Sequence, residues 1–143
     1  MAKTNIYLNF NGNAEEAFEL YKRVFNSDFT APITRMGDIP RNNTMPSLSD
    51  KEQNLVMHVG LPIFGGVILM GTDILESMGH ELKIGNNTTI SLELDTKEEA
   101  DRIYSFLSEN GSECVSPHDQ FWGYWGVCLD KFGIRWMLNV PAI

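Results

Sequence analysis

Two stretches of the chain begin in the same way, and this repetition restricts the fold more than any single motif does. Ile6-Tyr7-Leu8-Asn9-Phe10 alternates apolar with more polar side chains and leads through Asn11-Gly12 into Asn13-Ala14-Glu15-Glu16-Ala17, with Tyr21 one turn on. In the second half Thr89-Ile90-Ser91-Leu92-Glu93-Leu94 alternates in the same manner and leads into Thr96-Lys97-Glu98-Glu99-Ala100, with Tyr104 one turn on. A period of two is that of a strand. Apolar residues at 14, 17, 18, 21, 24 and 25, and again at 100, 103, 104 and 107, follow the period of a helix with one buried stripe. Asn13 with Glu16, and Thr96 with Glu99, have the spacing of capping boxes, so helices are expected over 13–26 and 96–109.

Each helix is followed by the makings of three strands. After the first come a weak strand over 28–36, broken by Pro32 and so suited to a sheet edge, and a hairpin of 55–61 with 67–72 turned by 62–66. Between them, residues 37–53 carry Pro40, Pro46 and several Asn and Ser without periodicity, which reads as a long loop placed beside a ligand site. A linker over 71–87 joins the halves. After the second helix come a short segment around Cys114-Val115 and two aromatic-rich strands, 123–129 and 134–140, joined by Asp130-Lys131-Phe132-Gly133; His118-Asp119 reads as loop. The fold class is therefore α+β: duplicated βαβββ modules, about 4–75 and 86–141, forming a mixed, curved sheet with a groove inside a single domain of 1–143.

Composition narrows the function. The formal charge of −8, from 19 acidic and 11 basic residues, and the lack of a Lys/Arg cluster leave no footprint for nucleic acid. Apolar runs are too short to cross a membrane and the first residues lead directly into a strand, so neither a membrane span nor a signal peptide is expected and the cytoplasm is the default. Cys114 and Cys128 form no C-x-x-C pair and are read as small core residues.

Candidate functional residues are those expected on the faces that the helices leave uncovered. His58 alternates against Met57 and Val59 and should face the groove, as general base, as hydrogen-bonding group, or simply as a satisfied structural histidine. Glu93, in line with Thr89 and Ser91, would either pair with His58 as an acid–base couple or bond to Arg135 or solvent. Tyr7, Asn9, Met137 and Asn139 complete the mixed polar lining, with Phe121, Trp122 and Tyr124 as an aromatic wall and Trp122 and Tyr124 in contact with ligand.

Tyr7-Leu8-Asn9-Phe10-Asn11-Gly12-Asn13-Ala14-Glu15-Glu16-Ala17, the stretch Gly66-Val67-Ile68-Leu69-Met70-Gly71-Thr72-Asp73, and Phe121-Trp122-Gly123 with Asp130-Lys131-Phe132-Gly133-Ile134-Arg135-Trp136-Met137 resemble the PhnB-like branch of the glyoxalase/bleomycin-resistance/dioxygenase (vicinal oxygen chelate) superfamily. The resemblance implies a small-molecule ligand in the groove and a homodimer. It also implies metal-ligand positions on the first and last strand of each module, which fall near Asn5, Met70, Thr89 and Met137. These are amide, thioether and hydroxyl groups, so no catalytic metal and no other cofactor is expected; His58 and Glu93 with water could hold a divalent ion weakly. A methyltransferase label attached to this branch finds no counterpart in the chain, whose one Gly-Gly pair, Gly65-Gly66, precedes a strand pattern. Three functions fit: a metal-free binding protein, an enzyme of lyase, isomerase or dioxygenase type using His58 and Glu93 or a recruited metal, and an antibiotic-sequestering resistance protein.

Overall fold

The structure, a computed structural model, describes residues 1–143. The chain divides into two compact units, Met1–Leu82 and Lys83–Ile143, the division falling in the expected linker.

In the first unit β1 (Ile6–Phe10) precedes α1 (Ala14–Phe25), then β2 (Thr34–Arg35), a short α2 (Asp50–Asn54), β3 (Val56–Pro62) and β4 (Ile68–Asp73). The sheet order is β1-β4-β3-β2, with β1 parallel to β4 and the other pairs antiparallel. Every residue of the predicted helical stripe, Ala14, Ala17, Phe18, Tyr21, Val24 and Phe25, is buried, and Leu20 joins them. The helix settles on the sheet at Gly71, where a Cβ would stand 2.4 Å from the Phe18 ring; glycine is what lets the ring approach the strand. Asn26, in the left-handed region at φ 46, closes the helix.

The start of α1 departs from expectation. Asn13 makes no side-chain capping bond. The free N–H groups at this end are taken instead by a residue distant in sequence: Gly12 and Ala14 both donate to Asp73 Oδ1 at 3.0 Å, and Val56 donates to Asp73 Oδ2 at 2.8 Å. A carboxylate here also meets the positive end of the helix dipole. At the edge, Arg35 reaches Glu15 of α1 with both guanidinium nitrogens at 3.0 Å, which holds the Glu15 carboxyl below its ordinary range.

The second unit repeats the pattern with β5 (Ile90–Glu93), α3 (Lys97–Leu107), β6 (Ser112–Gln120), β7 (Gly123–Leu129) and β8 (Arg135–Pro141), in the order β5-β8-β7-β6. Ala100, Ile103 and Leu107 of α3 are buried over Trp136 and Leu138, both fully enclosed, while Tyr104 is half-buried. Thr96 caps α3 by accepting from the Glu99 N–H, but no capping box forms because Arg102 holds the Glu99 carboxylate at 2.9 and 3.1 Å. The connection between β7 and β8 is built on Asp130, 3% exposed: Oδ1 accepts from the N–H of Phe132 and Ile134, and Oδ2 from Trp136 Nε1 at 2.9 Å. Gly133 supplies the expected positive φ, 91°.

Three local expectations are corrected. The 37–53 segment is not loop throughout, since Ser49 and Glu52 form a capping box that starts α2. His118 and Asp119 lie in β6, opposite Trp125 and Tyr124, so the short segment around Cys114 extends to nine residues; register shifts within it obscure its alternation. Of the cysteines, Cys128 is a core residue whose burial pushes the thiol up to about 12, but Cys114 is exposed.

Asp73→Ala removes the acceptor for three main-chain N–H groups, two of them in buried bonds, and should lower stability by about 3 kcal/mol in urea denaturation. Asp73→Asn, which keeps one acceptor oxygen, should lower it less.

Candidate functional site

With α1 on one face of the first sheet and α3 on one face of the second, the side chains that point away from the helices form the candidate surface of each unit. In the first unit Tyr7 of β1 is the partner of Met70 on β4, and Met70 is the partner of Gly60 on β3. Asn9 lies beside Thr72. His58, half-buried, comes to this surface as expected: its Nδ1 is 3.3 Å from the Tyr7 hydroxyl, with ring centroids 5.8 Å apart. Tyr7 is 49% exposed, so the hydrogen-bonded phenol and imidazole are open to a ligand. No Lys, Arg, Asp or Glu stands among Tyr7, Asn9, His58, Met70 and Thr72, which makes this a neutral polar surface.

The second unit is more varied. Met137 on β8 is flanked by Ser91 of β5, whose Oγ lies 3.6 Å from its sulfur, and by Val127 of β7. Asn139 stands between Glu93 and Trp125. Trp122, 41% exposed at the turn before β7, meets Trp125 edge-on at 5.7 Å, and the His118 ring meets Trp125 at 5.9 Å. Arg135 is held by Glu113 of β6 at 2.9 Å and not by Glu93.

Tyr124, expected on the ligand wall, is on the other face. Its hydroxyl donates to Asp101 of α3 at 2.7 Å, which raises its pKa, and Lys97 of the same helix lies over its ring. Alternation then gives the open face to Trp125, the residue that reading the strand alone missed. The hairpin supplied the signal: pairing Leu129 with Arg135 across the Asp130–Gly133 connection and counting outward sets Trp125 against Asn139. His58 belongs to the first unit and Glu93 to the second.

Register also corrects the metal-ligand positions. The partner of Met70 is Tyr7, not Asn5, and the partner of Met137 is Ser91, not Thr89. Asn5 is occupied structurally, its Oδ1 accepting from the Ile68 N–H at 3.2 Å. Phenol, thioether and hydroxyl are as poor a donor set as the one they replace, and the chain has no group of three or more His, Cys, Asp or Glu that could hold a metal ion. The residues present do not fit the superfamily's metal. The Gly65-Gly66 turn, with φ of 70° and 77°, leads into strand β4 and not into a helix N-terminus, so it is a hairpin turn without the geometry of a nucleotide cradle. No helix is long and apolar enough to cross a membrane.

The family described as 3-demethylubiquinone-9 3-methyltransferase matches residues 2–139. The chain belongs to this family. The YjdN protein of Escherichia coli is 27% identical over 140 residues, 94% of this chain and 92% of that protein. Among solved structures, protein PA1353 from Pseudomonas aeruginosa is 30% identical, with a TM-score of 0.82 over 99% of this chain and 98% of that one. A PhnB protein from Bacillus cereus, 22% identical, has a TM-score of 0.74 over 98% of this chain and 100% of that one. The fosfomycin resistance protein FosX from Listeria monocytogenes shares the fold at 12% identity, with a TM-score of 0.64 over 99% of this chain and 94% of that one. The chain thus shares with the PhnB protein and with FosX an α+β fold of duplicated βαβββ units.

Tyr7→Phe should cost under about 1 kcal/mol, as expected for an exposed hydrogen bond, while moving the His58 ring resonances in NMR spectra. Unmoved resonances would show that the two rings are not joined in solution.

Proposed function

We propose that this PhnB-like protein binds a small organic molecule against the helix-free faces of its sheets and does so without a catalytic transition metal. The observation that carries the reading is the strand register, which sets Tyr7 beside Met70 and Ser91 beside Met137. A divalent ion there would exchange its water shell for uncharged, mostly weak donors, with no carboxylate or imidazole at the paired positions themselves and only His58 beside the first pair and Glu93 beside the second. What the same faces do offer is suited to an organic ligand: indole and phenol surfaces, a thioether, an amide and hydroxyls. Tyr7, Asn9, Trp122, Met137 and Asn139 are assigned to binding, with Trp125 taking the place of Tyr124. The family's description names a methyl transfer, but the Gly65-Gly66 turn gives no support for an S-adenosylmethionine site.

A second reading, that of an enzyme, is favoured by the Tyr7–His58 hydrogen bond. An imidazole whose Nδ1 is engaged by a phenol has its Nε2 available to give or take a proton, depending on which tautomer the phenol stabilises. Glu93, on the open face of the second unit, is the other acid–base group of this reading. A resistance protein that sequesters its antibiotic unchanged would use the same surfaces, and the FosX likeness bears on it through fold alone. Pairing of two copies and a cytoplasmic location are part of the proposal.

After dialysis against chelator and equilibration with Zn²⁺, Ni²⁺, Mn²⁺ or Fe²⁺, the protein should retain far less than one ion per chain by elemental analysis. Ser91→His with Met137→Glu, which puts imidazole and carboxylate on partnered positions, should raise that affinity. Stoichiometric metal in the unmodified protein, lost on His58→Ala, would reverse the order of the two readings. In sedimentation at micromolar concentration the main species should have about twice the chain mass of 16.2 kDa; a species of single-chain mass alone would remove the dimer.

A further inference from the structure

Four residues stand side by side across the helix-free face of the second unit. His118 of β6 is the strand partner of Trp125, Trp125 of Asn139, and Asn139 of Glu93. With neighbouring strands about 4.8 Å apart, such side chains form a continuous row. Trp122 turns its ring onto Trp125 at 78°, so one end of the row is an aromatic corner.

The charges and hydrogen bonds along this row are one-sided. His118 Nδ1 lies 2.9 Å from the Ser116 carbonyl and Nε2 lies 2.7 Å from the Gln120 amide nitrogen, so both ring nitrogens are engaged within the strand. Arg135, further along β8, is ion-paired through Nη1 to Glu113 at 2.9 Å, while its Nε is a buried N–H without a partner. Glu93, by contrast, is exposed and forms no hydrogen bond or ion pair within the chain. Asn139 Oδ1 is a buried acceptor with no partner, pressed toward Gly123, where a Cβ would stand only 2.7 Å away. An amide oxygen left unpaired in this way carries a free-energy cost that an incoming N–H would relieve. The row thus presents two unmet acceptors, one of them charged, next to the electron-rich faces of two indoles, and no unpaired cation. An anion would meet the charge of Glu93, and a neutral ligand would leave that carboxylate unmatched.

We propose that this row recognises an organic ammonium: an amine on a small aromatic or apolar body, its N–H groups donating to Glu93 and Asn139 Oδ1 and its body lying against Trp125 and Trp122. Cation–π attraction and the charge-assisted hydrogen bond to Glu93 then act on the same group. This assignment rests on the small-molecule reading above and adds to it the chemical class of the ligand.

Benzylammonium, benzyl alcohol and benzoate share one body and differ in the polar group, so they separate the two. Titrated into the full-length protein by calorimetry and tryptophan fluorescence, benzylammonium should bind about ten-fold more tightly than benzyl alcohol, and benzoate more weakly than either. Glu93→Gln, an exposed change checked for folding by circular dichroism, should bring the amine down to the level of the alcohol, and Trp125→Leu should weaken both. Alcohol or benzoate binding as tightly as the amine, or an amine preference that survives Glu93→Gln, would overturn the ammonium assignment and leave the small-molecule reading standing. No heat and no fluorescence change with any of the three at millimolar concentration would overturn both the assignment and the placement of a ligand on this face.

Discussion

The first unit depends on the carboxylate of Asp73. It is 3% exposed at the end of β4, and it gathers the N–H groups of Gly12, Ala14 and Val56, which belong to the turn into α1 and to the start of β3. A buried carboxylate is tolerated only when hydrogen bonds replace its water, and here they are main-chain donors that would otherwise be unsatisfied. One residue thus couples helix, parallel strand pair and hairpin. Asp130 does comparable work in the second unit, tying the β7–β8 connection to the indole of the core residue Trp136.

That anchoring defines which surfaces are left for function. Once α1 and α3 cover one face of each sheet, alternation assigns every strand residue to the helix or to the open side. The open side carries little of the core packing, because the large enclosed side chains, Phe10, Phe18, Leu61, Leu69, Trp136 and Leu138 among them, are in the helices or point toward them. Residues facing away can therefore differ in chemistry while the βαβββ frame stays the same. This is the physical sense in which a chain can share the fold of FosX at 12% identity and yet present Tyr7, Met70, Ser91 and Met137 at paired open-face positions.

The two open faces differ in kind. The first is neutral, with a phenol and an imidazole in contact; the second sets a carboxylate and an amide beside two indoles, with its guanidinium ion-paired to Glu113. Differences of charge and hydrogen-bonding capacity, more than the shared architecture, separate one such face from the other.

Much of the frame was legible in the chain because it rests on local periodicity: the stripe Ala14, Ala17, Phe18, Tyr21, Val24, Phe25, the alternation of Ile6 to Phe10 and of 134–140, and the turn ending at Gly133 all depend on residues close in sequence. The family, too, could be read from such local stretches. What needed the tertiary structure was every pairing between distant residues. Asn13 looked like the cap of α1, but an acceptor from β4 reaches the same N–H groups. Tyr124 and Trp125 are neighbours with equal claims as aromatic lining, and only the contact of Tyr124 with Asp101 on α3 decides between them. Asn5 and Tyr7 share a face, so alternation cannot say which stands beside Met70; the parallel register does, and a strand's period of two is blind to a shift of two residues. The sequence by itself determined the two long helices with their buried stripes, most of the strands and the duplicated order, because those follow from short-range pattern; α2, the full length of β6 and the face taken by Tyr124 did not. Only the tertiary structure decided which side chains meet, because register and capping are settled by partners that lie some fifty to sixty residues apart along the chain.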